Sequence, residues 1–349
     1  MHISELDTPA LTVDLDVLER NIRNMAELCR NLDIALRVHT KTHKVPEIAR
    51  MQLEAGAIGI TCQKLGNAEA MVEGGIQTDI LIPYNIVGKP KLKRLMELTK
   101  RTKMTVALDS EETARGISEQ AEEDDCVVRV IIELDTGGKR CGVQSPQAAL
   151  ELARKIVRMQ GLDFQGIMIF PSMEPARPFI QETVSLLEGA GIPVNIISGG
   201  GTGSEAVSKA IGCNETRSGS YAYEGLRRIS HLHNPPNPET CALRMIVTVV
   251  STPTPERIII DGGMKTFTSY PPTPYGYVIE YPEIKIYAMS VEHGHVDVTA
   301  SSHKFRVGEK LSVIPLHQEM TSNLHDELVV VRKGEVVAVW KIAGRGKVK

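Results

Sequence analysis

Ala35-Leu36-Arg37-Val38-His39-Thr40 and Gly59-Ile60-Thr61-Cys62-Gln63 are two apolar runs joined by a helical pattern over residues 45–56. Pro46 sits at a first-turn position of that helix, and Gly56 closes it. Buried runs joined by a helix read as parallel strands, because parallel pairing needs a crossover connection. The unit repeats outward, with further runs at 79–84, 103–109, 127–135, 166–170 and 194–198 and a weak one near 214–218. Upstream, Val17, Leu18, Ile22, Met25, Leu28 and Cys29 recur at three- and four-residue steps, so 15–31 reads as a helix capped by Asp14 or Asp16. Eight such strands suit a (β/α)8 barrel over residues 10–235, with its chemistry at the C-terminal strand ends. An open doubly wound sheet is the competing arrangement, and periodicity alone does not exclude it.

After about residue 236 the character changes. Pro235, Pro236 and Pro238 punctuate the chain, and β-type runs follow at 244–251, 257–261, 277–289, 310–315 and 327–342, the last with a turn at Lys333-Gly334. These predict a second, all-β domain over 236–349.

Composition removes several classes of function. With 40 Lys+Arg against 43 Asp+Glu the net charge is −3, which gives no general attraction to nucleic acid or anionic membranes. Aromatic residues at 4% leave little for stacking single strands. No run approaches the ~20 apolar residues of a membrane span. The start Met1-His2-Ile3-Ser4-Glu5 has no signal-peptide pattern. Six scattered cysteines without a C-x-x-C pair read as reduced thiols, so the expected compartment is the cytoplasm.

Four clusters carry chemistry. Arg37, His39 and Lys41 alternate along the first strand and are expected to point together into the barrel. Burial lowers an amine's pKa, as condensation with an aldehyde requires; a solvated basic patch is the alternative. Ser198-Gly199-Gly200-Gly201-Thr202-Gly203 ends the seventh run, where a barrel holds phosphate on backbone N–H groups, and Gly219-Ser220-Tyr221 ends the eighth. A flexible turn is the plain alternative there. Arg140, in Asp135-Thr136-Gly137-Gly138-Lys139-Arg140-Cys141-Gly142, offers a planar fork to a phenolate or carboxylate, or else bridges to a neighbouring acid. In the β domain, Glu292-His293-Gly294-His295, His317-Gln318-Glu319 and His325-Asp326 cluster imidazoles with carboxylates. His317 and Glu319 would share a strand face and suit a divalent metal completed by water or substrate; solvated surface histidines are the alternative.

Together these segments resemble the D-threonine aldolase and D-serine dehydratase group, fold-type III pyridoxal-phosphate enzymes related to alanine racemase. His39-Thr40-Lys41-Thr42-His43-Lys44 is similar to its H-x-K-T-H-K signature, and Gln63-Lys64-Leu65-Gly66-Asn67-Ala68-Glu69 to Q-K-L-G-E-A-E. Asp135 through Gly142 resembles D-x-G-x-x-R-x-G, and Glu215 through Tyr221 resembles E-x-R-P-G-x-Y. Asp261-Gly262-Gly263-Met264-Lys265 and Val291-Glu292-His293-Gly294 are similar to D-A-G-x-K and E-E-H-G.

The resemblance implies a TIM-like barrel plus a β domain that includes an N-terminal strand over residues 1–9. It implies pyridoxal phosphate held by Lys41, with Thr202, Gly219 and Ser220 at the phosphate and Gln63 beside the cofactor. Arg140 would face the ring hydroxyl and Arg217 the pyridine nitrogen. His317 and Glu319 would take the metal positions, where the family has H-x-C or H-x-D. A glutamate there favours Mn or Mg over Zn. A homodimer and a small amino-acid substrate follow from the same resemblance. The activity implied is metal-dependent cleavage of D-3-hydroxy amino acids of the D-threonine type to glycine and an aldehyde. Its rivals are a D-serine or 3-hydroxyaspartate dehydratase, an amino-acid racemase and a non-catalytic cofactor carrier. One segment departs: the family's Y-x-G-H is Phe170-Pro171-Ser172-Met173 here, so the base for the substrate hydroxyl is unassigned.

Overall fold

All eight runs between residues 35 and 216 become strands, and they close on one another in sequence order. They are Ala35–His39 (β2), Gly59–Thr61 (β3), Ile80–Ile82 (β4), Met104–Leu108 (β5), Val128–Asp135 (β6), Leu162–Phe170 (β7), Ile196–Gly199 (β8) and Glu215–Thr216 (β9). Every neighbouring pair is parallel, and Ala35 opposite Glu215 closes the ring. The barrel is therefore closed, and the open-sheet alternative is excluded. This is a computed structural model, and it describes residues 1–226, 237–268 and 274–349. The boundary expected at 235/236 lies outside the described residues.

The chain forms two units. One comprises Asn24–Lys41, Pro46–Gly219 and Lys347–Lys349 and holds the barrel. Its helices carry the expected punctuation: the helix after β2 spans Pro46–Glu54, and Gly56 follows with φ of +110°. Midway along the barrel Leu81, Ala107, Ile131, Met168 and Ile196 meet as a buried apolar layer. Each projects inward by the two-residue alternation of its strand.

The other unit comprises Met1–Arg23, Thr42–Val45 and Ser220–Gly346 and is built on an antiparallel-dominated sheet. Its N-terminal strand is Ala10–Asp14 (β1), not residues 1–9. Pro9 has no N–H for a ladder, and Ile3–Glu5 form a 3-10 turn capped by the His2 side chain. Strand β1 pairs antiparallel with Leu243–Thr254 (β10) and parallel with Glu327–Arg332. The run over 277–289 divides into Gly276–Val278 and Lys285–Met289, because Pro282 interrupts it. Lys333 and Gly334, with φ of +51° and +82°, make the tight hairpin from Glu327–Arg332 into Glu335–Lys341. No helix among the described residues is long and apolar enough to cross a membrane. All six cysteines are free thiols.

Candidate active site

Strand β2 aims Arg37 and His39 into the barrel but ends before Lys41. The turn over residues 40–43 carries that lysine past the strand, so the inward alternation stops at His39 and Lys41 is only half-buried. The backbone N–H of Lys41 donates to His39 Nδ1 at 3.4 Å. With Nδ1 accepting, Nε2 carries the proton and faces Gln63 Oε1 at 3.2 Å, so Gln63 fixes the ring. Burial, then the charges of Lys41 and Arg217, holds the His39 pKa well below the ordinary imidazole value. The ring is a neutral strut under Lys41.

The glycine-rich loop leaves β8 at Gly199. Gly201 and Gly203 have φ of +116° and +95°, which side chains rarely adopt. A Cβ on Gly219 would stand 2.5 Å from the His39 carbonyl oxygen, so that approach requires glycine. Gly219 N–H donates to Thr202 Oγ1 at 3.1 Å and ties the two terminal segments together. The Glu205 carboxylate accepts from Gly203 N–H at 3.0 Å and from the Ser218 hydroxyl at 2.6 Å. Ser220 opens the 3-10 turn Ser220–Ala222.

Arg217 is 5% exposed, and its fork donates to two neutral oxygens, Ser198 Oγ and the Ile169 carbonyl, each at 2.7 Å. Burial lowers its pKa to about 10, with Glu215 opposing the shift. Arg140 is exposed. It meets Glu133 at 3.2 Å and lies 5.0 Å over the Phe170 ring, so its resting partner is an acid, the bridging alternative. Burial raises the Glu133 carboxyl against the pull of Arg140.

In the sheet unit, His317 and Glu319 do not share a strand face. The strand Lys310–Pro315 ends first, and His317 caps the short helix Gln318–Ser322, with Nδ1 accepting from Met320 N–H at 3.4 Å. Glu319, in the first turn, accepts from Thr42 Oγ1 at 3.0 Å. Lys44 lies within range of the same carboxylate and is bonded to Asn323 Oδ1 at 2.6 Å; burial lowers its pKa, with Glu319 opposing. The other histidine clusters disperse. His295 meets Ser290, and His325 faces the Thr266 carbonyl at 2.8 Å. No group of three His, Cys, Asp or Glu able to hold a metal occurs among the described residues. An imidazole and a carboxylate are the right donors for a hard divalent ion, but water and substrate must supply the remaining ligands.

The barrel residues fit pyridoxal phosphate. A primary amine sits on a fixed turn for the aldehyde, and a loop with two left-handed glycines can turn backbone amides to a phosphate. A buried guanidinium on neutral acceptors suits a polar ring atom. Ser198, Ser172 and Glu205 complete these surroundings without having been assigned a role in the sequence. Ser198 was visible only as the residue before the glycines, and Glu205 as an acid opening a helix.

Comparison with known proteins places these segments in context. The alanine racemase N-terminal domain family matches residues 13–226, and the putative serine dehydratase domain family matches 242–331. A D-threonine aldolase of Arthrobacter sp is 35% identical, over 99% of this chain and 94% of its own length. A 3-hydroxy-D-aspartate aldolase of Paracoccus denitrificans is 31% identical, again over 99% and 94%. The crystal structure of D-threonine aldolase from Filomicrobium marinum superposes with a TM-score of 0.91 at 30% identity, covering 99% of this chain and 98% of that one.

Proposed function

The chain belongs to the D-threonine aldolase and D-serine dehydratase family, with its alanine racemase-type barrel, and on that premise we propose that it cleaves D-3-hydroxy amino acids of the D-threonine type to glycine and an aldehyde, using pyridoxal phosphate and a divalent metal. It is a lyase. The observation that carries the reading is the convergence of Lys41, His39 and Arg217 with a glycine-rich loop at one end of the barrel. Pyridoxal phosphate, when bound, withdraws electrons from the amino acid's α-carbon and so makes an α-bond breakable.

On this reading Lys41 anchors the cofactor, with its backbone steadied by His39 Nδ1. Thr202, Gly219 and Ser220 hold the phosphate, and Gln63 keeps His39 in the neutral tautomer. Arg217 would face the pyridine nitrogen, and Arg140, paired with Glu133 here, would face the ring hydroxyl. His317 and Glu319 hold Mn or Mg, a cation that acidifies a hydroxyl. Residues 170–173 offer no imidazole or phenol to take that hydroxyl's proton. The protein works as a homodimer in the cytoplasm.

The test is incubation with D-threonine, D-serine and D-3-hydroxyaspartate, with Mn added or chelated. Glycine plus the matching aldehyde is the expected product, lost on chelation. Pyruvate from D-serine would instead mean dehydration, and chelator-resistant interconversion of enantiomers a racemase. A Lys41→Ala variant is expected to lose both turnover and the visible absorbance of lysine-bound cofactor. If that band survives, Lys41 is not the anchor.

A further inference from the structure

Ser172 lies in the segment that departs from the family pattern, two residues beyond the end of β7, and its side chain is buried. Its hydroxyl accepts the Gly200 N–H at 2.8 Å. A Cβ on Gly199 would come within 2.9 Å of the same Oγ, so the serine lies directly against the start of the glycine-rich loop. The segment is itself held in place. The Thr136 hydroxyl donates to the Pro171 carbonyl at 2.8 Å, and the Ile169 carbonyl accepts from Arg217. One short stretch thus touches the Arg140 loop, Arg217 and the glycine loop, all within the barrel unit.

Glycines lose more backbone freedom on ordering than other residues, so a loop with Gly200, Gly201 and Gly203 pays a high entropy cost if it must form around a ligand. A buried acceptor on its first N–H removes part of that cost beforehand. We propose that Ser172 is a positioning residue that pins the Gly200 amide, so that the backbone beyond it is preset to receive the phosphate of pyridoxal phosphate. This rests on the cofactor reading above. It assigns Ser172 no contact with cofactor or substrate.

The experiment titrates cofactor-free protein with pyridoxal phosphate and, separately, with pyridoxal, which has the aldehyde and ring but no phosphate. Wild type, Ser172→Ala and Ser172→Thr are compared by absorbance. Ser172→Ala is expected to weaken pyridoxal phosphate about tenfold, the worth of one hydrogen bond to a buried amide, and to leave pyridoxal within about twofold. Ser172→Thr, which keeps the hydroxyl, is expected to restore most of the loss. An equal loss for both ligands, or no loss, overturns the proposal. Hydrogen exchange on the wild type needs no variant to fold: the Gly200 amide must be protected before cofactor is added, and protection arising only on binding also overturns it. Wild-type protein that binds neither ligand sinks the cofactor reading itself, a separate result.

Discussion

Arg37 and Arg217 belong to neighbouring parts of one barrel wall and are almost equally inaccessible, at 3% and 5% exposed, yet their partners are opposite in kind. Arg37 donates Nε and Nη2 to the two oxygens of Glu215 at 3.0 Å and Nη1 to Asp79 at 2.9 Å, and Asp79 in turn meets Arg129 at 2.8 Å and Lys103 at 3.3 Å. Burial lowers the Arg37 pKa, but the two carboxylates more than offset it and the net shift is upward. Among the described residues Arg217 donates only to neutral oxygens, and its net shift is downward. The first region neutralises its charges in place and is finished as structure. The second keeps a desolvated cation whose charge, like that of Lys41, reaches the neutral His39, an environment suited to a polar or anionic group from outside the chain.

The largest effect is expected where the charges are paired. Glu215→Gln keeps the shape but leaves the Arg37 guanidinium short of a counter-charge, and breaking a buried pair costs about 3 kcal/mol. The denaturation midpoint of the variant should fall accordingly, in cofactor-free and loaded protein alike. A change of less than about 1 kcal/mol would mean that the lower barrel is far wetter than its burial indicates, and the contrast with Arg217 would dissolve.

A smaller effect, visible through pH, belongs to the upper region. The folded-state pKa of His39 is held below the unfolded value of about 6.5, so as pH falls through that value the unfolded chain takes a proton that the native ring refuses. Stability from this residue is full above about pH 6.5 and is lost below it, at up to about 1.4 kcal/mol per pH unit. In His39→Asn the amide oxygen can still accept the Lys41 N–H, and nothing titrates. Urea midpoints between pH 7 and pH 5 should decline less steeply in that variant. Parallel slopes would show that the native ring takes up its proton as readily as the unfolded chain does.

The barrel was legible because each strand–helix unit repeats within a few dozen residues, and chain order alone then dictates closure. Lys41 and the glycine loop were legible as motifs for the same local reason. The polar column was not. Arg37 stands 42 residues from Asp79 and 178 from Glu215, and no window of sequence holds them together. The strand reading of His317 and Glu319 failed because Gln318–Ser322 is a five-residue helix, too short to display a period. Ser172 was passed over because a small hydroxyl residue gains meaning only from the amide it meets.

The smallest stability change is expected at Arg217, and it sharpens the contrast most. In Arg217→Met the lost bonds to Ser198 and Ile169 are partly offset by removal of a charge that burial disfavours, so the net change should stay within about 1 kcal/mol. Methionine fills similar space with a flexible apolar chain. On the proposed assignment of Arg217 to the pyridine nitrogen, cofactor properties should nonetheless change: the absorbance maximum of bound pyridoxal phosphate should shift and turnover should fall, because methionine offers that nitrogen no donor. Ser198, freed of the guanidinium, still donates to Glu215 at 2.6 Å, so the column beneath should hold. A stability loss as large as that of Glu215→Gln, with the absorbance unmoved, would place Arg217 in the structural column and leave the upper barrel without its reserved cation.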